Sequence, residues 1–181
     1  RKICATLPVN YVTNTAPAVA FRDLGALLKN GQPGHVSVRV EADSADVGGN
    51  AASVRLYSTG SVPSLSRILP ALQNAGVAID REQTFGINTA DGTRHYVTSL
   101  AVDAESAAKL AKPGITAVAE ELFAALFNDK AEDGRLNGLT VEGGLSMREV
   151  QLVRAYISYW RQTGSKFTTR YMAETLRGQP A

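Results

Sequence analysis

Residues 53–77 read SVRLYSTGSVPSLSRILPALQNAGV, and this stretch decides the fold class. Ser53–Ser58 alternates, with Val54, Leu56 and Ser58 on one side and Arg55 and Tyr57 on the other, the period-two pattern of a half-buried strand. Thr59-Gly60-Ser61-Val62-Pro63 reads as a turn, with Pro63 expected at the first helical position, where no N–H is needed. Leu65, Ile68, Leu69 and Leu72 then keep the i, i+3, i+4, i+7 spacing of one buried helix face. Pro70 interrupts that pattern and is expected to kink or locally open the helix, because it lacks a donor and its ring crowds the preceding turn. Gly76 is placed to end the helix at positive φ.

Downstream, Val77–Ile87 and Thr93–Val102 read as two further strands, joined through Asp91-Gly92, a hairpin signal. Asp103 is placed to cap a following helix. Pro113-Gly114 interrupts that helix, and Ile115, Val118, Ala119, Leu122, Phe123, Leu126 and Phe127 resume the helical spacing beyond it. Upstream, Val36, Val38 and Val40 alternate within a strand over 35–41, and Ala16–Lys29 reads as a helix with Val19, Leu24, Leu27 and Leu28 as its apolar positions. The fold class is therefore α+β: a βαββα unit with an antiparallel sheet, most of a ferredoxin-like split βαβ. The last strand of that unit is missing in sequence order, and the upstream strand 35–41 could take its place. Asp43–Asn50 reads as a loop.

After Asp129 the pattern becomes helical. Lys130–Gly134 is a charged linker and Leu136–Val141 a short helical piece, broken by Gly143-Gly144. Ser146 and Glu149 form a capping box at the head of a helix running to about Thr163. Met147, Val150, Val153, Ile157 and Trp160 share one face of it, and Leu152, Tyr156 and Tyr159 widen the apolar surface to a second face. Thr168 or Thr169 caps a last helix through about Arg177. The expected divisions are an N-terminal lead-in over 1–34, an α+β domain over 35–129 and a helical motif over 130–181.

The chain has 181 residues, 44% hydrophobic and 20% charged, with a formal net charge of +2. That composition suits a folded globular protein and gives no electrostatic reason for nucleic acid or a membrane as partner. Cys4 is the only cysteine, so neither a disulfide nor a cysteine zinc site forms within one chain, and a reducing cytoplasm is the compatible compartment. No apolar run reaches the roughly 18 residues that span a bilayer. The opening on Arg1 rather than methionine is expected of a piece cut from a longer protein.

No catalytic set and no metal site is legible. His35 and His95 lie in separate strands without ligand-spaced partners. Gly48-Gly49-Asn50 lacks the spacing of a phosphate cradle, and Lys112-Pro113-Gly114 reads as a helix break. Arg148, Arg154, Arg161, Lys166 and Arg170 give the last helices a basic tint that Glu149 and Glu174 dilute, so a solvated or inter-domain ion-paired face is expected ahead of a nucleic-acid-binding helix. Thr59, Gly60 and Ser61 form the one turn marked for ligand binding: a glycine, flanking hydroxyls and an oncoming helix N-terminus suit a carboxylate. Tyr156, Tyr159 and Trp160 are the expected interface residues.

Residues 138–150, GLTVEGGLSMREV, with Arg154-Ala155-Tyr156 and Tyr159-Trp160-Arg161-Gln162-Thr163-Gly164, resemble the helical segment of the large NAD-specific glutamate dehydrogenases. Arg55-Leu56-Tyr57, Ser64-Leu65-Ser66, Leu69-Pro70 and Asn74-Ala75-Gly76 are similar to an upstream stretch of the same family. The resemblance covers roughly residues 50–177. It implies an ACT-type domain followed by helical motifs, lying ahead of the catalytic domain in a large cytoplasmic homo-oligomer. It implies a parent that oxidises L-glutamate with NAD to 2-oxoglutarate and ammonium. No catalytic-domain motif is present here, so the fragment is expected to hold no cofactor, NAD belonging to the parent. The implied partners are the rest of the parent chain, including its catalytic domain, and an amino-acid effector at Thr59, Gly60 and Ser61.

Overall fold

A computed structural model describes residues 7–29, 32–41, 52–90 and 92–178. Cys4, Asp91 and the loop containing Gly48-Gly49-Asn50 lie outside the described residues. The elements are α1 (Val9–Asn14), α2 (Pro17–Lys29), β1 (Val36–Glu41), β2 (Ser53–Thr59), α3 (Leu65–Asn74), β3 (Ile79–Asn88), β4 (Arg94–Val102), α4 (Ala104–Leu110) and α5 (Ile115–Phe127). Beyond them come a 3-10 turn at Arg135–Asn137 and the helices α6 (Gly138–Gly143), α7 (Met147–Gln162) and α8 (Thr169–Arg177).

The four strands form one antiparallel sheet in the order β1-β2-β4-β3. β4 sits between β2 and β3, and α3 crosses from β2 to β3, which is the split βαβ arrangement. β1 occupies the position beside β2 that a strand following α5 would take. The same sheet is thus completed from the N-terminal side. Asn128, just past α5, secures the substitution. Its Oδ1 accepts the Val36 N–H at 2.9 Å and its Nδ2 donates to the Val36 carbonyl at 2.7 Å. Further along the same edge, Glu120 accepts the Val40 N–H at 2.8 Å. Side chains of α5 thereby occupy outward-facing groups of an edge strand that would otherwise invite pairing.

One sheet face carries Val36, Val40, Val54, Leu56, Leu100 and Val102 against Ile68 and Leu72 of α3, Leu110 of α4, and Leu122, Phe123 and Leu126 of α5. Each fully buried side chain of this kind contributes roughly 1.5–3 kcal/mol. α3 begins at Leu65 with Ser64 extended as its N-cap, so Pro63 lies outside the helix, a correction to its expected first helical position. The proline still costs nothing there, because Val62, the residue it restricts, is also outside the helix. Pro70 lies on the exposed side of α3, and residues 65–74 remain helical through it. At the other end, Gly76 at φ +83° donates to the Gln73 carbonyl and Val77 to the Leu72 carbonyl, a complete Schellman closure.

The opposite sheet face differs from expectation. The alternation in Ser53–Ser58 suggests a strand half exposed, but every residue of β2 is buried. The reason is a second helical layer, α1 and α2, laid across the Arg55 and Tyr57 side. Tyr11, Leu27, Tyr57, Phe85, Ile87 and Val97 form its apolar part. Its polar part centres on Asp23, which is fully buried. The Asp23 carboxylate accepts the Tyr11 hydroxyl at 2.6 Å, the Tyr57 hydroxyl at 2.7 Å and Arg55 Nη1 at 2.7 Å. Burial and the neighbouring Asp23 carboxylate raise the Tyr57 phenol far above its ordinary pKa, so it stays a donor. Glu41 joins the network, with Arg22 at 3.2 Å and Arg55 Nε at 3.7 Å. α2 therefore buries Val19, Asp23 and Leu27 and leaves Leu28, one of its expected apolar positions, 63% exposed.

Replacing Asp23 by Ala removes the 2.7 Å carboxylate partner of Arg55, which is only 1% exposed and keeps Glu41 at 3.7 Å. The expected cost is about 3–5 kcal/mol, read from the urea midpoint. The half-exposed Arg39, changed to Ala, should move the midpoint by no more than about 0.5 kcal/mol. A D23A variant as stable as the parent would show that the network does not hold α2 to the sheet.

Candidate functional site

Thr59, Gly60 and Ser61 follow one another out of β2 but do not converge. Thr59 shares its strand face with Tyr57, the face opposite α3. Its hydroxyl is buried and lies 2.9 Å from His95 Nδ1, and its carbonyl accepts the Gly34 N–H. Gly60 takes φ +83° and donates its N–H to the Arg94 carbonyl at 2.9 Å. Ser61 is exposed, and α3 starts only at Leu65. The turn thus offers Ser61 and the exposed first turn of α3 on one side of the sheet, with the Thr59 hydroxyl committed on the other. His35, like His95, is held structurally, its Nδ1 lying 2.7 Å from Asn128 Oδ1. No group of three or more metal-ligating side chains occurs among the described residues.

The second region is the helical module. Its interior is small: Leu136, Leu139, Val150, Ile157, Met172 and Ala173. α7 is started by the capping box, in which Ser146 accepts from the Glu149 N–H and Glu149 Oε2 accepts the Ser146 N–H at 2.8 Å. Those bonds to Ser146 hold the Glu149 carboxyl below its ordinary pKa. α8 is capped by Thr168, which accepts from the Tyr171 N–H. Of the face expected to be buried on α7, Val150 and Ile157 are buried, Val153 half-buried, and Trp160 is 51% exposed. Tyr156 and Tyr159 are 66% and 67% exposed, and Leu152 lies beside them. Pattern reading missed the continuation of this surface through the α7–α8 connection onto α8, where Phe167, Tyr171 and Leu176 are also exposed. Phe167 joins the two helices, stacked on Tyr171 at 5.2 Å and tilted against Trp160 at 6.2 Å.

Ion pairs hold this module together, and the Asn74 side chain of α3 donates to Asp133 at 3.1 Å from the α+β domain. Arg177 reaches back to Glu142 on α6 through two bonds of 2.8 and 2.6 Å, which raise the pKa of the guanidinium. The pair lies against the Gly76 turn, and a Cβ on Gly138 would stand 2.4 Å from Arg177 Nε. Arg154 bonds Glu132 and the Asn137 side chain, and Arg170 and Arg135 share Glu174. Of the basic residues on the last helices, Arg154 and Arg170 are thereby engaged in ion pairs, while Arg148, Arg161 and Lys166 pair with no carboxylate among the described residues. Lys112 lies in the exposed turn between α4 and α5.

A four-stranded antiparallel sheet of split βαβ topology, followed by a compact helical module, defines an ACT-type α+β protein with a helical extension. Residues 37–114 match the family model of the glutamate dehydrogenase ACT3 domain, and residues 131–181 match glutamate dehydrogenase helical motif 3. The two matches together cover well over half of the chain, which belongs to the glutamate dehydrogenase family they describe. Among curated proteins it is similar to the NAD-specific glutamate dehydrogenase of Mycobacterium tuberculosis, 27% identical over 94% of this chain and 11% of that protein. The NAD-specific glutamate dehydrogenase of Pseudomonas aeruginosa is 24% identical over 93% of this chain and 10% of its own length, and that of Halomonas elongata is 23% identical over 73% and 8%. The chain spans about a tenth of the length of these relatives.

Substituting Gly138 by Ala should displace Arg177 and cost about 1–3 kcal/mol. The cost should shrink when Arg177 is already Ala, which a double-mutant cycle in urea measures. On α7, Tyr156→Ser and Tyr159→Ser should each stay within about 0.5 kcal/mol of the parent, whereas Ile157→Ala should lose about 2–5 kcal/mol. Tyrosine variants as destabilised as I157A would mean that these rings support the module's own fold rather than face a partner.

Proposed function

We propose that this chain is a non-catalytic regulatory and assembly segment of a large NAD-specific glutamate dehydrogenase. The parent would convert L-glutamate, NAD and water to 2-oxoglutarate, ammonium and NADH on a separate catalytic domain. The segment would dock there and on neighbouring subunits of a cytoplasmic homo-oligomer. The observation that carries the reading is the exposed run Leu152, Tyr156, Tyr159, Trp160, Phe167, Tyr171 and Leu176 on two well-capped helices. An exposed apolar surface of this kind on a well-capped module supports an interaction site. Tyr156, Tyr159 and Trp160 are its centre, of the residue types that dominate binding energy at interfaces.

A second reading, an amino-acid-sensing ACT module, draws on the turn after β2. Gly60 at positive φ and the exposed Ser61 leave that turn accessible beside the first turn of α3. In this reading Thr59 acts only by shaping the turn through His95.

The test is a thermal-shift panel on the 181-residue protein with the common amino acids, 2-oxoglutarate and NAD, paired with an assay of glutamate-dependent NADH formation. The assembly reading expects no NADH formation and no ligand-dependent shift. A ligand at about 100 times its dissociation constant would add roughly 2.7 kcal/mol of stability. A selective shift with one amino acid, abolished by Ser61→Ala or Gly60→Val, would establish the sensor instead. Turnover by the isolated chain would overturn both.

A further inference from the structure

The exposed apolar surface of the helical module contains a groove. Ile157 and Trp160 of α7 form one wall, Tyr171, Met172 and Leu176 of α8 form the other, and Phe167 lies at the end where the helices join. We propose that this groove receives an amphipathic α-helix with an apolar stripe and acidic flanks. The proposal rests on the reading of this module as an interface and specifies the partner.

Three features select that occupant. The first is size. The cavity measures about 180 Å³, below the roughly 300–1,000 Å³ of small-molecule sites. It suits one or two anchoring side chains rather than a metabolite. The second is the backbone. The groove is walled by two helices whose peptide groups are bonded internally, so it has no strand edge to which an extended peptide could add. A third helix laid against a helix pair is the packing this shape admits.

The third feature is charge. Within the helical module, Glu132, Glu142 and Glu174 are already paired with arginines, and Glu149 is held in its capping box. Asp133 accepts from the Asn74 side chain. The basic residues divide differently. Arg148 at the start of α7, Arg161 at its end and Lys166 in the α7–α8 connection have no carboxylate within ion-pair distance among the described residues. Arg161 donates only to the Thr169 hydroxyl, at 3.2 Å. Arg148 lies at the far end of α7, but Arg161 and Lys166 adjoin Trp160 and Phe167 in sequence, so the groove carries unneutralised cations at the end where the helices join, the complement of an acid-flanked apolar helix.

Trp160 is the only tryptophan of the chain and stands in the groove wall, so its emission reports occupancy directly. The experiment titrates the 181-residue protein with two helical peptides sharing one leucine stripe, one flanked by glutamates and the other by lysines. The acidic peptide should shift Trp160 emission to the blue and saturate. Arg161→Glu should weaken that binding roughly tenfold, Tyr171→Ala should weaken it at least as much, and added salt should weaken it further. Circular dichroism checks that both variants remain folded. Equal binding of the two peptides would overturn the acidic partner while leaving the groove an interface. So would sedimentation of the protein alone as a dimer with blue-shifted Trp160, which would assign the groove to a second copy of this chain. A monomer whose Trp160 responds to neither peptide would overturn the groove proposal. Tyr156 and Tyr159, outside the groove, then decide the wider interface reading through crosslinking to the full-length enzyme.

Discussion

The buried carboxylate of Asp23 is the contact on which the architecture turns. It accepts three donors at once: Tyr11 from α1, and Tyr57 and Arg55 from β2. An isolated Arg55 at this depth would be prohibitively costly, and an isolated Asp23 equally so. Each is tolerable only when the other element is in place. The N-terminal helices and the sheet therefore assemble together or leave a charge unpaired. Apolar packing by Leu27 against Phe85 and Val97 adds affinity for the sheet face but little direction. The ion pair and the two phenols set the register of α2 on β2. The consequence is that β2 is buried on both faces, and one of the two interior strands of the sheet also anchors the extra layer.

That constraint complements the unusual order of the sheet. A strand drawn from upstream of the split βαβ unit must be fixed at the edge without a short connection from α5. Asn128 does this from one end by bonding both polar groups of Val36, and Glu120 does it further along at Val40. Glu41, the last residue of β1, enters the Arg55 and Arg22 group on the opposite face. The borrowed strand is thus held by α5 on one side and by the Asp23 network on the other. The Tyr57 and Arg55 side chains that close the second face belong to the strand it pairs with.

Much of this was legible where the signal is local. The alternation of Val36, Val38 and Val40, the helical spacing from Ile68 to Leu72, the Gly76 stop and the Ser146 and Glu149 box each depend on neighbours within a few residues and read directly, whereas Leu65, expected on the same buried face, is exposed. The Asp23 network did not read, because its members lie in separate elements and each looks like an ordinary surface residue in its own. Periodicity counts Leu24 and Leu28 as core and passes over Asp23, yet the fold buries Asp23 and exposes Leu28. The same limit affects the Thr59 turn. Spacing shows a threonine, a glycine and a serine in a row, but strand alternation sends the Thr59 hydroxyl to His95, away from α3. On α7 the second apolar side reads from the spacing, whereas its extension through Phe167 and Tyr171 depends on how α8 folds back.

The helical module shows why exposure at its surface differs from poor packing. A loosely folded segment would expose aromatic side chains because nothing holds it. Here both long helices are capped by side chains, and Arg177 ties the last turn of α8 to Glu142 beside the Gly76 turn of the α+β domain. The half-buried position of that ion pair gives it more weight than the exposed Arg170–Glu174 pair, which solvent screens. Gly138 makes the approach possible by leaving out a Cβ at the point where Arg177 passes. The module is therefore braced internally by specific polar contacts and left apolar over the exposed faces of α7 and α8. Association loses less conformational entropy when the presenting surface is already fixed. The exposure of Tyr156, Tyr159 and Trp160 is therefore a property of an ordered surface, fixed by the caps and ion pairs beneath it.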